Sequence, residues 1–159
     1  MDNDDIRSKL SELLRKSQQK LSFEELISYV EDLHKIYPNE IQVVGIGDIH
    51  SSCFNYAFKL TGNMKTPTMS LVKQNNLVKE LSKNEEVKPD DLIIYQIKSV
   101  VAHIGVVIAK GVVESKWETG PIIKHSPLMV PRSYGSDYKY YRILDKKGVI
   151  NYLRQYKLN

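Results

Sequence analysis

Three strand-like segments follow one another closely between Asp91 and Trp117, and they limit the possible folds more than any other feature of the chain. DLIIYQI is an almost unbroken apolar run, which is typical of a strand covered on both faces. VVAHIGVVIA and VVESKW are rich in β-branched residues and are separated by Lys110-Gly111, a pair that favours a tight hairpin turn. An antiparallel sheet is therefore expected at the centre of the fold.

Helices are expected before this sheet. Ser22 and Glu25 form a capping-box pattern that predicts the start of a helix, and Pro38 predicts its end. An earlier helix is predicted over residues 4–19 because its apolar residues recur at helical spacing. These apolar residues are Ile6, Leu10, Leu13 and Leu14.

The remaining elements complete an α+β plan. Residues 41–46 predict a short extended segment, residues 52–60 a helix that carries Cys53, and residues 68–83 another helix. A loop with short extended pieces is predicted for GPIIKHSPLMVPRSYGSD, which is broken by prolines and glycines. A last strand is predicted for YKYYRI, and a closing helix for KKGVINYLRQYK. We expect the Cys-bearing helix to pack on an antiparallel β-sheet.

The whole chain, 1–159, is expected to be a single domain. Residues 1–38 would form an N-terminal helical extension or cap, and residues 41–159 the core. At 159 residues the chain is long enough for one substantial hydrophobic core, and it contains no repeat or low-complexity block.

Composition excludes several classes of protein. One cysteine cannot form an internal disulfide, and no close ligand spacing predicts a metal site or a cofactor. The net charge of +4 favours anionic partners only mildly, and no nucleic-acid-binding motif is present. The first residues, MDNDDIRSKL, lack a signal-peptide pattern, and no apolar run predicts a membrane span. A cytoplasmic product is expected, with a specialised secretion system if it is exported.

Cys53, the single cysteine, is predicted to lie at the start of a helix. Backbone N–H groups and the positive end of the helix dipole favour the thiolate there and can also hold an oxyanion during acyl transfer. A nucleophilic thiol also requires a base, usually histidine. His103 is the candidate, because it interrupts the otherwise apolar strand VVAHIGVVIA.

The order of these motifs resembles the NlpC/P60 and CHAP branches of the papain-like cysteine peptidase fold. CFNYAFKL is similar to their Cys-bearing helix, and DDLIIYQIKSVVAHIGVVIAKGVVES is similar to their following strands, over residues 45–117. The segment that starts SKWETGPIIKHSP resembles a small bacterial group associated with the same fold. The resemblance implies a Cys53–His103 pair, a third polar residue on the next strand, and an amide substrate.

Two residues are candidates for the third position, Glu114 and Ser115. With a two-residue turn at Lys110-Gly111, Glu114 and His103 share a face but lie about 13 Å apart along the strands. A three-residue loop instead sets Ser115 opposite Gly105 and diagonal to His103. A carboxylate suits the chemistry better, whereas Ser115 suits that second geometry, so both remain candidates.

Four further residues are candidates for binding substrate or stabilising the oxyanion: Ser52, His50, Trp117 and His125. The expected function is thiol-dependent amide hydrolysis, by a cysteine peptidase or a peptidoglycan amidase or endopeptidase, and the protein could be a bacterial effector or toxin. Peptide, isopeptide or peptidoglycan-like molecules would be the substrates. A transferase or deamidase that uses the same cysteine and histidine, and a non-catalytic binding module with the same fold, are the alternatives.

Overall fold

A seven-stranded antiparallel sheet forms the centre of the computed structural model, which describes residues 3–18, 22–47, 52–59, 73, 76–117 and 120–157. The strands are β1 (Ile41–Gly45), β2 (Val78–Glu80), β3 (Leu92–Ile97), β4 (Val100–Ala109), β5 (Val112–Lys116), β6 (Ile122–His125) and β7 (Asp137–Ile143). Their order across the sheet is β1-β6-β5-β4-β3-β7-β2. The predicted α+β class with an antiparallel sheet is confirmed.

The helices of the described residues are α1 (Asn3–Gln18), α2 (Phe23–Ile36), α3 (Cys53–Ala57) and α4 (Lys146–Lys157). The predicted capping box begins α2: the Ser22 hydroxyl accepts the N–H of Glu25, and the Glu25 carboxylate accepts the N–H of Ser22. None of the described helices has the length and apolar content that crossing a bilayer requires.

Helices cover the sheet on both faces, which explains why β3 is apolar on both sides. On one face, α1 and α2 pack against Ile93 and Tyr95 of β3. On the other face, α3 and α4 pack against Leu92 and Ile94 of the same strand. We call the first the cap face and the second the Cys53 face.

A β-bulge sets the register of the β4–β5 hairpin. Ala109 pairs with Val112 across the predicted two-residue turn, but Val107 pairs with Val113, so Ile108 is an extra residue on β4. Val106 therefore lies opposite Glu114. A one-residue shift moves every following side chain to the other face of a strand.

The helix predicted over residues 68–83 is wrong from residue 76 onward. Lys73 is helical, but residues 76 and 77 form a turn and a bend, and Val78–Glu80 is strand β2, which pairs with β7 at the edge of the sheet. The backbone hydrogen bonds between β2 and β7 join residues that are distant in the sequence. The spacing of nearby apolar residues therefore does not predict them.

The helix predicted over residues 52–60 is shorter than expected, because α3 ends at Ala57 and residues 58 and 59 form a turn. The segment 60–72 lies outside the described residues.

Candidate active site

Cys53 begins α3, as predicted. Ser52 has an extended backbone (φ −86°, ψ 170°), and its hydroxyl oxygen accepts the N–H of Asn55 at 3.2 Å. Ser52 is therefore the N-cap of the helix. Cys53 is half-buried and packs against the apolar cluster of the Cys53 face.

Glu114 lies on the same face as Cys53. Its cross-strand neighbour Val106 packs in the cluster that Cys53 contacts. The hydroxyl of Tyr56, one helical turn after Cys53, donates a hydrogen bond to the Glu114 carboxylate. Burial, and then this hydrogen bond, raise the pKa of Tyr56, so the phenol stays protonated and remains a donor at neutral pH.

Tyr56 was missed by sequence reasoning. Its spacing of three residues from Cys53 sets it on the same side of a helix, and this signal could have identified it. The group that it meets on β5 depends on the bulge, which no local pattern indicates.

His103 lies on the cap face, where it pairs with Tyr95 across β3 and β4. Its ring stacks on that of Tyr134, with centroids 3.9 Å apart and planes within 1° of parallel. Its side chain is buried, and neither ring nitrogen has a hydrogen-bond partner among the described residues. Burial, and then the neighbouring His125, lower the pKa of His103 well below 6.5, so the ring is neutral.

The predicted Cys53–His103 pair is therefore not assembled. Ile104 packs in the cluster that Cys53 contacts, and side chains alternate between the faces of a strand. His103, the residue before Ile104, contacts Tyr134 on the cap face instead. The sheet itself separates the thiol from the imidazole, which corrects the prediction that His103 is the base.

Ser115, Trp117 and His125 meet in one buried chain of hydrogen bonds on the cap face. The Trp117 indole N–H donates to the Ser115 hydroxyl oxygen at 3.1 Å, and that oxygen lies 2.8 Å from His125 Nε2. His125 Nδ1 lies 2.7 Å from the carbonyl oxygen of Ser126, so a proton on Nδ1 leaves Nε2 to accept the hydroxyl proton.

This chain of hydrogen bonds corrects the predicted roles of Ser115, Trp117 and His125. Trp117 and Ser115 are fully buried, so the Trp117 side chain is not accessible to a substrate, and Ser115 bonds to His125 rather than to His103. Both ring nitrogens of His125 already have protein partners, which leaves neither for substrate. Burial lowers the pKa of His125 to about 4.

The first helix fixes the segment that covers His103. Arg7 of α1 is buried, and its guanidinium donates to the carbonyl oxygens of Val130 at 3.2 Å and Gly135 at 2.6 Å. Tyr134 lies between these two anchor points, in the 3-10 turn Arg132–Tyr134. Helix α1 therefore holds Tyr134 against His103 on the cap face.

No histidine of the described residues lies on the Cys53 face. His34 is exposed on α2, while His103 and His125 are buried on the cap face. His50, a predicted substrate-binding or oxyanion residue, lies outside the described residues. One acid–base group beside α3 is the Glu114 carboxylate, which accepts a hydrogen bond from Tyr56 of that helix.

Comparison of the chain with protein-family models, with curated proteins and with solved structures found no match.

Proposed function

We propose that the protein is a thiol-dependent amide hydrolase in which Cys53 is the nucleophile and Glu114 is the acid–base group. The observation that carries the proposal is the clustering of a half-buried thiol, a carboxylate and a phenol on one face of the sheet. The resemblance to papain-like cysteine hydrolases supports the nucleophile and an amide substrate: a peptide, an isopeptide or a peptidoglycan stem. The base differs from the histidine of those enzymes.

The chemistry runs through a thioester. The Cys53 sulfur attacks the amide carbonyl carbon while its proton passes to Glu114, which then protonates the leaving nitrogen as the C–N bond breaks. Water attacks the thioester, gives a proton to Glu114 and releases the acid, and that proton returns to the Cys53 thiolate. Tyr56 holds the carboxylate in position throughout.

The timing of the proton transfer follows from ordinary acidities. A carboxylic acid is a stronger acid than a thiol, so complete transfer of the proton before the attack is unfavourable. A carboxylate is thus an effective acceptor only while the C–S bond forms, and we expect slower turnover than a thiolate–imidazolium pair supports.

Acylation by p-nitrophenyl acetate, followed by intact-protein mass spectrometry, tests the proposal. We expect one acetyl group on Cys53 that turns over, none on Cys53→Ala, and acylation slowed about 100-fold or more by Glu114→Gln. Glu80→Gln is the matched control, since Glu80 is a strand carboxylate that pairs with Lys139 on β7. Acylation of Cys53 no faster than that of N-acetylcysteine at the same pH would overturn the proposal.

A non-catalytic binding module is the second candidate. The observation that favours it is the separation of Cys53 from His103 by the sheet. Such a protein would bind its ligand with unchanged affinity after Cys53→Ala and would not form an acyl-enzyme.

A further inference from the structure

A pocket opens on the Cys53 face directly beside the Tyr56–Glu114 pair. It has a cavity volume of about 60 Å³ and is partly open to solvent. Its apolar lining comes from the end of α3, from β4, from the end of β7 and from α4: Ala57, Phe58, Val106, Ile143, Val149 and Ile150.

The pocket lies within reach of the proposed nucleophile. Ala57 follows Tyr56 directly and lies four residues after Cys53, about 6 Å along the helix axis. Val106 is the cross-strand neighbour of Glu114, and such pairs have Cβ atoms roughly 5 Å apart. A substrate would therefore extend from the Cys53 thiol to the pocket, which Ala57 lines one helical turn further along α3.

The rim of the pocket carries more positive than negative charge. Lys59 and Lys146 line it together with one carboxylate, that of Asp90. The Lys146 ammonium lies 2.8 Å from Asp90, and this hydrogen bond lowers the pKa of the carboxyl, so Asp90 is ionised at neutral pH. Among the residues that line the pocket, two ammonium groups face one carboxylate, while the Glu114 carboxylate lies next to Val106 on the same face.

We propose that the substrate of the Cys53 site is an acidic peptide whose branched aliphatic side chain occupies this pocket and whose carboxylates lie near Lys59 and Lys146. The inference rests on the proposed thiol chemistry for the reaction itself, whereas binding depends only on the pocket. The apolar lining selects the aliphatic side chain, and the two lysines select its acidic neighbours.

Binding is measured by calorimetry on the Cys53→Ala protein, in which thiol chemistry cannot occur. The probes are three acetylated and amidated tripeptides: leucine between two glutamates, serine between two glutamates, and leucine between two lysines. The first is expected to bind about tenfold or more tightly than either of the others, because only it has both features.

Two variants connect that affinity to the pocket. Ile150→Trp fills the opening and Lys146→Gln removes one rim charge, so each should weaken binding of the glutamate–leucine peptide at least about fivefold. Lys147→Gln is the matched control, because Lys147 is the next residue of α4 and does not line the pocket. Thermal melting of each variant checks that the fold is kept.

Equal affinity for the three peptides, or affinity unchanged by both pocket variants, would overturn the inference. Selective binding to Cys53→Ala without hydrolysis by the wild-type protein would contradict the proposed reaction alone. Hydrolysis of all three peptides at the same rate would contradict the proposed role of the pocket in selecting the substrate, but not the proposed reaction.

Discussion

His103 and His125 are both buried and neutral, and this couples the stability of the protein to pH. Burial is the main cause of the lowered pKa of each ring, to about 4 for His125. An unfolded histidine titrates near 6.5, so below that pH the unfolded chain binds protons that the folded protein excludes. Their contribution to stability is therefore complete above pH 6.5 and is lost as the pH falls toward 4.

We expect the free energy of unfolding to decrease by about 3 kcal/mol between pH 7 and pH 4 through His125 alone. Urea denaturation at intervals of half a pH unit measures this change. The decrease should begin near pH 6.5, before carboxylates titrate. A free energy that stays constant from pH 7 to pH 5 would show that neither ring is buried in its neutral form.

At the scale of elements, the lack of a side chain at Gly105 of β4 leaves room on the cap face for side chains of β3 and β5. A Cβ atom at this position would lie 2.7 Å from the Val113 side chain and 3.2 Å from those of Ile93 and Ser115. Gly105→Ala should destabilise the protein by about 1–3 kcal/mol through overpacking.

Gly45→Ala is the control for Gly105→Ala, since a Cβ at Gly45 of β1 meets no atom within 4 Å. Denaturation midpoints of the two variants give the comparison. Equal stability of the two would contradict the close approach of the strands at Gly105.

Asp91 ties the start of β3 to β7. Arg142 donates to both of its carboxylate oxygens, at 2.9 and 2.8 Å, and the N–H of Lys88 donates to one of them at 2.7 Å. The side chain of Asp91 is only 4% exposed, so Asp91→Asn leaves a buried site with a poorer match to the guanidinium. We expect Asp91→Asn to lower the free energy of unfolding by about 2 kcal/mol.

Asp90, the preceding residue, provides the comparison for Asp91. Its ion pair with Lys146 is exposed on both sides, so Asp90→Asn should change stability by less than about 1 kcal/mol. Chemical denaturation of both variants checks the ranking, and the reverse order would contradict the role of the Asp91–Arg142 pair.

At the scale of the whole molecule, the parts that local sequence determines were predictable. The capping box at Ser22 and Glu25 and the turn at Lys110-Gly111 are local signals, and α2 and the hairpin form where they predict. The strand β2 was not predictable in this way, because Val78–Glu80 is extended only through its pairing with β7.

The candidate site was predictable only as a set of residues. Cys53 and Glu114 were identified from sequence, and they lie on one face, but Glu114 was expected to orient His103, which lies on the other face. The extra residue at Ile108 reverses the faces of Glu114 and Ser115 relative to the simple two-residue hairpin. Since a strand alternates every residue, one bulge decides which candidates share a face, and no pattern in the sequence marks it.

The separation of Cys53 from His103 by the sheet is the central claim, and His103→Phe tests it most directly. Phenylalanine retains an aromatic ring against Tyr134 and removes two buried nitrogens that have no partner among the described residues, so the fold should persist. The measurement is the rate of Cys53 acylation by p-nitrophenyl acetate. We expect the variant to react within about threefold of the wild-type rate, whereas a catalytic histidine contributes about 100-fold or more. A hundredfold loss in a folded His103→Phe protein would contradict the account and restore the Cys53–His103 pair.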